Sequence, residues 1–369
     1  MRVLHINSNY LGTGLHQQMV EALSKEQIEN TVFTPISDHY EIRVKAKDDV
    51  IVRRCFLEAD RLLFPWKEHK IKRALYDAVN PFDFDLFHAY TLFTDGNIAM
   101  QLSQKTGNPF VVAVRNTDIN TFFKKRPLLR SRGRQILRKA SAVFFLSRSY
   151  QDLLMQNYIP TEEREALAAK SHVIPNGIDP FWLMNRFETR NAPQRLDGGM
   201  RLILAGKLHD NKNPQAVVQA AEILREKKLN ATVTLVGKKA DEKLCMRLSR
   251  APFVQILPPV PKEDLIQLYR QADIFVMPSF RESFGLVYAE ALSQGLPVLY
   301  TAGQGFDGQF RDGVVGYAVD PHNPADIAEK ILLAAEQYGA LSANCLESSK
   351  QFDWNKLALQ YRSIYEAIL

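Results

Sequence analysis

The segment PSFRESFGLVYAEALSQGLP, residues 278–297, contains the loop and helix signals that decide the fold. The apolar run before it, residues 274–277, predicts a buried strand. The apolar residues inside it predict a helix over residues 284–294, with Ser283 as its N-cap and Gly295 as its stop. Open α/β sheets bind ligands where a strand ends and a helix begins, because the first helical turn presents free N–H groups and a partial positive charge. The segment therefore predicts an α/β fold with an anion-binding edge.

Two acidic residues in this segment are candidates for binding a sugar nucleotide. Glu282 precedes the predicted helix, so its carboxylate can reach a ligand at the same edge of the sheet. Glu290 is the only charge in GLVYAEALSQGLP, among neighbours that read as buried, and a buried carboxylate needs polar partners such as the two hydroxyls of a ribose. Taken singly, Glu290 could lie at a polar helix edge and Glu282 on a surface loop. Together they favour a ligand site.

Two lysines follow another predicted strand in LILAGKLHDNKNP, residues 202–214. The strand ends at Gly206, Lys207 comes directly after it, and Lys212 lies in the loop before the next helix. Two cations here would neutralise the charge that develops on a departing nucleoside diphosphate. In isolation, two lysines in a polar loop would be surface residues, but their position at the carboxyl end of a strand favours the phosphate role.

Short β-rich runs alternate with amphipathic stretches through both halves of the chain, which is typical of parallel βαβ units with helices on both sheet faces. We therefore predict two Rossmann-like, doubly wound α/β domains, at residues 1–185 and 200–352. The polar segment 186–199, which ends in two glycines, is the predicted linker, and residues 353–369 form a C-terminal helix. Strands are expected at residues 3–6, 31–35, 86–88, 110–114, 142–146, 201–205, 232–236, 254–257, 274–277, 298–300 and 316–319.

The first half carries weaker candidates. Gly14, in the loop LGTGL, would let a ligand approach the backbone, but Gln17 replaces the third glycine of a G-x-G-x-x-G fingerprint, which disfavours a nicotinamide or flavin cofactor. His88, Arg115 and Asn176 each follow an apparent strand and are candidate contacts for the donor sugar or the acceptor. The alternatives are a structural role for His88, and simple pairing of Arg115 with Asp118.

Composition limits the classes of protein that this chain can be. Hydrophobic residues make up 46% of its 369 residues, which suffices for buried cores, and an odd count of three distant cysteines argues against a disulfide framework or a zinc site. The N-terminus lacks the pattern of a signal peptide, and no apolar run approaches the ~20 residues that span a bilayer. Motifs of metalloproteases, serine hydrolases and P-loop NTPases are absent from the sequence. We expect a cytoplasmic protein.

Residues 122–139, FFKKRPLLRSRGRQILRK, contain eight Lys or Arg and no acid, with apolar residues interspersed. One interpretation is a solvated helix face whose apolar side lies in the core. The other is contact with an anionic membrane, which would place the protein peripherally at the inner face, or with an anionic acceptor. Nucleic acid is disfavoured because no recognised nucleic-acid motif accompanies the charge.

The chain resembles the GT-B-fold retaining glycosyltransferases of the family-4 type. The resemblance rests on VIPNGID at residues 173–179, on AGK with Lys212, on residues 258–279, and above all on Glu282 and Glu290 as an E-x7-E pair. It implies two domains facing across a cleft and assigns roles to matching positions. Glu282, Lys207 and Lys212 are the implied catalytic group, with Glu290 on the ribose, the base near Val260, and further donor contacts at Ser283, Phe284, Gly285, Leu286, Gly206 and Gly14.

The resemblance also implies an activity. Such enzymes move a hexose from a UDP- or GDP-sugar, with retention and without a metal or cofactor, to polysaccharide, teichoic-type or glycolipid acceptors of the cell envelope. This chain departs from the family at three positions, with Lys207 for arginine, Arg115 for histidine, and Pro259 for the glycine before the base-binding turn. The alternatives are another GT-B enzyme, such as a phosphorylase or epimerase, and a non-catalytic partner of an active transferase.

Overall fold

The computed structural model describes residues 1–189 and 199–369. These residues form two parallel sheets with helices on their faces, which confirms the predicted α/β class. Most of the predicted linker, residues 190–198, lies outside the described residues. Within the described ranges, no helix combines the length and apolarity needed to cross a membrane.

The described strands follow the sequence prediction closely. The first sheet has seven strands and the second has six, and the predicted run at residues 274–277 is a fully buried central strand of the second. Two strands of the first sheet, at residues 50–56 and 171–173, are missing from the predicted ranges, although an apparent strand before Asn176 was noted. The strands are β1 Arg2–Ile6, β2 Glu29–Ser37, β3 Val50–Phe56, β4 Leu86–Ala89, β5 Phe110–Val114, β6 Ala142–Phe145, β7 Ser171–Val173, β8 Met200–Ala205, β9 Ala231–Val236, β10 Val254–Leu257, β11 Ile274–Met277, β12 Val298–Thr301 and β13 Gly316–Val319.

Helices connect most successive strands of the two parallel sheets, whereas β2–β3 and β12–β13 are joined by loops without a helix. Two of them begin with proline after an asparagine whose side chain accepts the N–H of the first turn, which is the expected chemistry of a helix start. The described helices are α1 Leu15–Lys25, α2 Phe64–Tyr76, α3 Thr94–Thr106, α4 Arg130–Lys139, α5 Arg148–Tyr158, α6 Thr161–Ala168, α7 Pro180–Met184, α8 Pro214–Glu226, α9 Glu242–Leu248, α10 Lys262–Gln271, α11 Leu286–Ser293, α12 Pro324–Glu336, α13 Tyr338–Ser348 and α14 Trp354–Ile368.

Both sheets are doubly wound. The first has the order β3-β2-β1-β4-β5-β6-β7 and the second has the order β10-β9-β8-β11-β12-β13. In each sheet the chain starts in the middle, builds outward to one edge, and then crosses back to build the other half. The crossing points are β1/β4 and β8/β11, and open parallel sheets bind ligands beyond the carboxyl ends of strands at such a switch point.

The chain forms two compact units, Met1–Gly177 with Trp354–Leu369, and Ile178–Asp353. The sequence placed the boundary at residue 185, but α7 packs on α11 and so belongs to the second unit. The predicted C-terminal helix forms as α14 and packs against α1 of the first unit. There Trp354 covers Gly177, where an added Cβ would lie 2.5 Å from the indole ring. The boundary between the units therefore lies after Gly177, because packing of α7 sets it.

The carboxyl ends of β8 and β9 approach each other closely at Gly206 and Gly237. A Cβ on Gly237 would lie 1.9 Å from the carbonyl oxygen of Gly206, and Gly237 has a φ of +144°, which side chains rarely adopt. Gly237 N donates a hydrogen bond to Leu257 O at 3.0 Å, and Leu208 N donates to Lys238 O at 2.9 Å. The close approach of the two backbones therefore requires glycine at position 237. It also sets the point at which the loop after β8 leaves the sheet.

We predict that Gly237→Ala destabilises the protein by about 2–4 kcal/mol, because both the backbone angle and the contact with Gly206 must change. Differential scanning calorimetry should show an unfolding midpoint lowered by roughly 5–10 °C. The matched control is Gly339→Ala in α13, where a Cβ meets no atom within 4 Å. Equal midpoints for the two variants would show that the approach of Gly206 and Gly237 is not a constraint.

Candidate active site

Loops from three adjacent strands of the second sheet are connected by hydrogen bonds. The loop after β8 meets the loop after β11 at Asn211, whose carbonyl oxygen accepts the N–H of Phe280 at 2.9 Å. The side-chain amide of Asn211 also donates to the carbonyl oxygen of Arg281 at 2.8 Å. Asn211 therefore connects the loop after β8, which carries Lys207 and Lys212, to the loop after β11, which carries Glu282. The sequence analysis did not single it out, although it lies within the quoted HDNKNP.

The loop after β12 fixes the main chain of Glu282 from the other side. Glu282 N donates to Gln304 Oε1 at 3.1 Å, and Gly305 N donates to Glu282 O at 3.1 Å. A Cβ on Gly305 would lie 2.0 Å from the carbonyl oxygen of Ser283, so this position requires glycine. The sequence reasoning missed this turn. The glycine-rich sequence AGQG directly after β12 could have indicated this turn.

Glu282 and Lys212 form a salt bridge between Oε2 and Nζ. Their side chains are only 13% and 18% exposed, so the pair is better shielded from solvent than a typical surface pair. The other carboxylate oxygen, Oε1, accepts the N–H of Ser283 at 3.1 Å. The structure therefore brings together two residues of the catalytic group that the resemblance implied, an acid and a cation from different loops.

The loop after β8 is rich in positive charge. Lys207 is exposed, and among the described residues it forms no salt bridge. The pKa of His209 is lowered, first by desolvation and then by the charges of Lys207 and Lys212. Its Nδ1 accepts the N–H of Asn211 at 3.3 Å, as a neutral imidazole can. Gly206, predicted to contact the donor, has a φ of +150° and lies against the aliphatic part of Lys212.

The helix after Glu282 begins later than predicted. The sequence predicted a helix over residues 284–294 capped by Ser283, but α11 starts at Leu286 and its N-cap is Gly285, in the left-handed region at a φ of +80°. Ser283 is exposed and forms no cap. A right-handed helix cannot include the left-handed backbone of Gly285, so α11 starts after it, while the buried ring of Phe284 packs beside Phe306 and Phe352 at centroid distances of 6.2 and 5.8 Å. The helix still starts at the edge where Glu282 lies.

Glu290 lies on α11, four residues into the helix. Its carboxylate is partly buried, and within the described residues it has no hydrogen bond or salt bridge. Burial, and then the nearby charge of Asp179, raise the pKa of Glu290 to about 7. This acid therefore lacks the polar partners that burial demands, which is the state expected of a ligand contact before the ligand binds.

Asp179 connects the surroundings of Glu290 to the predicted base site. Its carboxylate accepts the N–H of Phe181 at 2.9 Å, which caps α7, and it pairs with Lys262 Nζ at 2.8 Å. Lys262 starts α10, two residues after the partly buried Val260 in the segment that follows β10. Neither Asp179 nor Lys262 was singled out by the sequence analysis.

In the first unit, the structure places His88 inside the core. Its ring stacks on Tyr90 at a centroid distance of 4.5 Å, and its Nδ1 lies 2.5 Å from the hydroxyl of Tyr365 in α14. Burial lowers the pKa of His88 well below its usual range. The prediction that His88 contacts a sugar is therefore corrected, since the side chain is occupied by packing, which was the alternative interpretation.

Arg115 and Asp118 do not pair side chain to side chain as one interpretation expected. Arg115 Nε donates to Tyr90 O at 3.0 Å, and the carboxylate of Asp118 accepts the N–H of Leu92 at 3.1 Å and of Arg115 at 2.8 Å. Desolvation, and then the charge of Arg115, lower the pKa of buried His16 to about 3. Arg115 is thus partly buried at the carboxyl edge of the first sheet.

The remaining candidates of the first unit are glycine and asparagine positions. Gly14 has an ordinary backbone conformation and no atom within 4 Å of an added Cβ, so nothing in its surroundings requires glycine. The constrained residue of that loop is Gly12, where a Cβ would lie 2.7 Å from Asn9 Oδ1. Asn176 is buried. It comes directly before Gly177, the last residue of the stretch Met1–Gly177 in this unit.

Comparison with known proteins accounts for nearly the whole chain. Residues 17–181 match the model described as glycosyltransferase family 4, and residues 185–352 match glycosyl transferases group 1. A D-inositol 3-phosphate glycosyltransferase of Paenarthrobacter aurescens is 29% identical over 309 residues, which cover 77% of this chain and 73% of the relative. One of Streptomyces avermitilis is 27% identical over 357 residues, covering 88% and 72%.

Solved structures share the fold at low identity. A sucrose-phosphate synthase of Thermosynechococcus elongatus superposes with a TM-score of 0.77 at 18% identity, covering 100% of this chain and 98% of the other. HepE of Anabaena, in a complex with UDP, gives a TM-score of 0.71 at 18% identity and covers 100% of both chains. These likenesses establish the architecture, because identity this low carries no detail of the site.

We predict that Glu290→Gln stabilises the protein above neutral pH and not near pH 5. Between the usual pKa of 4.5 and the folded value of about 7, the unfolded chain releases a proton that the folded protein keeps, so Glu290 costs stability as pH rises through this window. At pH 8 the variant should be more stable by on the order of 2 kcal/mol, or about 5 °C in unfolding midpoint.

The control is Glu329→Gln, which removes one exposed acid from α12. Calorimetry at pH 5, 6, 7 and 8 measures the midpoint of each variant minus that of the wild type. A difference for Glu290→Gln that stays constant across this range would mean that the carboxylate is charged and stabilised in the folded protein.

Proposed function

The chain belongs to the GT-B glycosyltransferases of the family-4 type, and on that premise we propose that it moves a hexose from a nucleotide-sugar to an acceptor hydroxyl with retention of configuration. The observation that carries the proposal is the shielded pair of Lys212 and Glu282, held by three strand-end loops. Glu290, an acid without a partner among the described residues, follows on the helix that starts at the same edge.

The proposed donor is a UDP- or GDP-sugar bound along the carboxyl edge of the second sheet. Its diphosphate contacts Lys212, exposed Lys207 and the free N–H groups at the start of α11, because cations and a helix N-terminus both favour anions. The ribose hydroxyls bind the carboxylate of Glu290. The base lies near Val260, and the sugar lies against Glu282.

The proposed chemistry needs no metal ion. The bond between the anomeric carbon and the diphosphate oxygen breaks, and its electron pair leaves with the nucleoside diphosphate, whose charge Lys207, Lys212 and the helix start neutralise. The acceptor oxygen attacks on the face that the nucleotide leaves, and its proton passes to the departing phosphate. Glu282 orients the sugar while paired with Lys212, so binding and leaving-group stabilisation are linked in one contact.

The proposed acceptor is a carbohydrate, glycolipid or phosphorylated polyol hydroxyl bound by the first unit. The relatives named D-inositol 3-phosphate glycosyltransferases make a small phosphorylated acceptor a member of the test panel. Arg115, a cation at the carboxyl edge of the first sheet, offers charge for such a group. Polysaccharide and teichoic-type polymers complete the panel.

We predict that one nucleotide series raises the unfolding midpoint of the purified protein. UDP, GDP, ADP and their glucose, galactose, mannose and N-acetylglucosamine conjugates are screened by differential scanning fluorimetry. A ligand present at 100 times its dissociation constant stabilises by about 2.7 kcal/mol, which gives a clear shift. No shift with any nucleotide would contradict the donor proposal and favour a non-catalytic partner. Sugar phosphate released from an unactivated glycoside by inorganic phosphate would indicate a phosphorylase.

We predict that the two acids of the site separate turnover from donor affinity. Glu282→Gln should lower the rate of nucleoside diphosphate release at least 100-fold while changing the donor dissociation constant less than fivefold, because orientation and charge near the reacting carbon act mainly in the transition state. Glu290→Ala should instead weaken nucleotide binding at least tenfold. Titration calorimetry measures affinity, and a coupled assay with the acceptor panel measures release.

The control for both acids is again Glu329→Gln. Each variant is first compared with the wild type by calorimetry, so that loss of folding is recognised. Normal turnover in Glu282→Gln, or unchanged nucleotide affinity in Glu290→Ala, would show that the corresponding acid does not bind the donor.

A further inference from the structure

Among the exposed large apolar side chains of the first unit, four lie on two segments that meet in the fold. Leu128 is 94% exposed, Leu62 is 84% exposed, Leu63 is 65% exposed and Trp66 is 53% exposed. Scattered surface leucines are ordinary in soluble proteins, but bulky side chains exposed this fully on neighbouring segments mark an interaction surface. We call these four residues the apolar tips.

The two segments that carry the apolar tips meet through aromatic rings. Phe64, between Leu63 and Trp66 in sequence, contacts Phe122 at a centroid distance of 5.6 Å, and Phe122 stacks on Phe93 at 4.5 Å. Phe64 is itself buried at the start of α2. The exposed residues are thus attached to an anchored framework, and their exposure is a property of the folded surface.

Positive charge surrounds this framework. Of the eight basic residues in 122–139, Arg132 pairs with Glu68 and Arg138 with Glu163. The guanidinium of Arg126 packs over the ring of Phe122, 5.3 Å from its centroid, so a cation lies directly at the junction of the two segments. Salt bridges within the described residues leave six basic side chains of this stretch uncompensated, namely Lys124, Lys125, Arg126, Arg130, Arg134 and Lys139.

We propose that this face of the first unit binds the surface of an anionic lipid bilayer, with the apolar tips inserted among the headgroups and the basic residues of 122–139 facing lipid phosphates. Both halves of the pattern are needed for this partner. Basic residues are attracted to the negative surface potential, while leucine and tryptophan side chains gain by leaving water at the interface. Nucleic acid would satisfy the charge but offers nothing to the leucines. The binding is a property of the surface alone and is independent of the proposed transfer.

The first experiment measures partition onto vesicles without donor or acceptor. The protein is floated with vesicles of phosphatidylcholine containing 30% phosphatidylglycerol, and with pure phosphatidylcholine. Lys124→Gln/Lys125→Gln should weaken partition onto the anionic vesicles about 30-fold, since each basic residue near such a surface is worth roughly a factor of five. The matched control, Lys227→Gln/Lys228→Gln, removes two adjacent exposed lysines from the second unit and should partition like the wild type.

The second experiment tests insertion of the apolar tips. Trp66 is the exposed member of the three tryptophans, because Trp182 and Trp354 are buried. Anionic vesicles should shift the emission of the protein to shorter wavelength, and the shift should vanish in Trp66→Phe. Leu62→Ser/Leu128→Ser should lower partition at least tenfold, whereas the control Met246→Ser/Leu359→Ser, which removes two other exposed apolar residues, should not.

Each of the following results would overturn the proposal. The wild type could fail to float with anionic vesicles, or float equally with phosphatidylcholine alone. The lysine or leucine pair could behave like its control. Floating without any change in Trp66 emission would reduce the contact to unspecific charge attraction. Binding to polyglutamate but not to vesicles would instead identify an acidic protein as the partner.

Discussion

The salt bridge between Lys212 and Glu282 joins the loops that leave β8 and β11, and the geometry of the second unit's site depends on it. These strands are neighbours only because the chain crosses back over the sheet at this point, so the pair exists as a consequence of the doubly wound topology. Asn211 connects the same two loops through its carbonyl oxygen and its side-chain amide, and Gly305, in the loop after β12, holds the main chain of Glu282. Hydrogen bonds to the backbone therefore hold the loops and the salt bridge holds the two side chains, so a bound ligand would require little reorganisation.

Two titratable groups of the second unit have pKa values shifted toward their neutral forms, and desolvation is the first cause of both shifts. His209 loses affinity for its proton because it is desolvated near two lysines, while burial and the charge of Asp179 raise the pKa of Glu290 to about 7. An anion bound by the lysines would reverse the first effect, and hydroxyls donating to Glu290 would reverse the second. We therefore expect nucleotide binding to raise the pKa of His209 and to lower the pKa of Glu290.

The sequence predicted the strands of the second sheet almost residue by residue, because each is a short apolar run bounded by clear turn signals. It missed β3, where consecutive Arg53 and Arg54 on an edge strand conceal the alternation. It also misplaced the start of α11, since neither the left-handed backbone of Gly285 nor the burial of Phe284 is encoded in a local pattern. His88 was ambiguous for the same reason. Its partner, Tyr365, is 277 residues away along the chain.

The two lysines of the proposed diphosphate site differ in how firmly they are held. This difference bears on position 207, where this chain has lysine and the family usually has arginine. Lys212 is held by Glu282 and by the loop contacts of Asn211, so its charge is fixed before any ligand binds. Lys207 is exposed and, among the described residues, unpaired. A lysine gives up the bidentate geometry of arginine but keeps a mobile point charge. In the proposed site, Lys212 fixes the position of the diphosphate, and Lys207 can follow the phosphate as it departs. With this arrangement, the replacement of arginine by lysine at position 207 costs little.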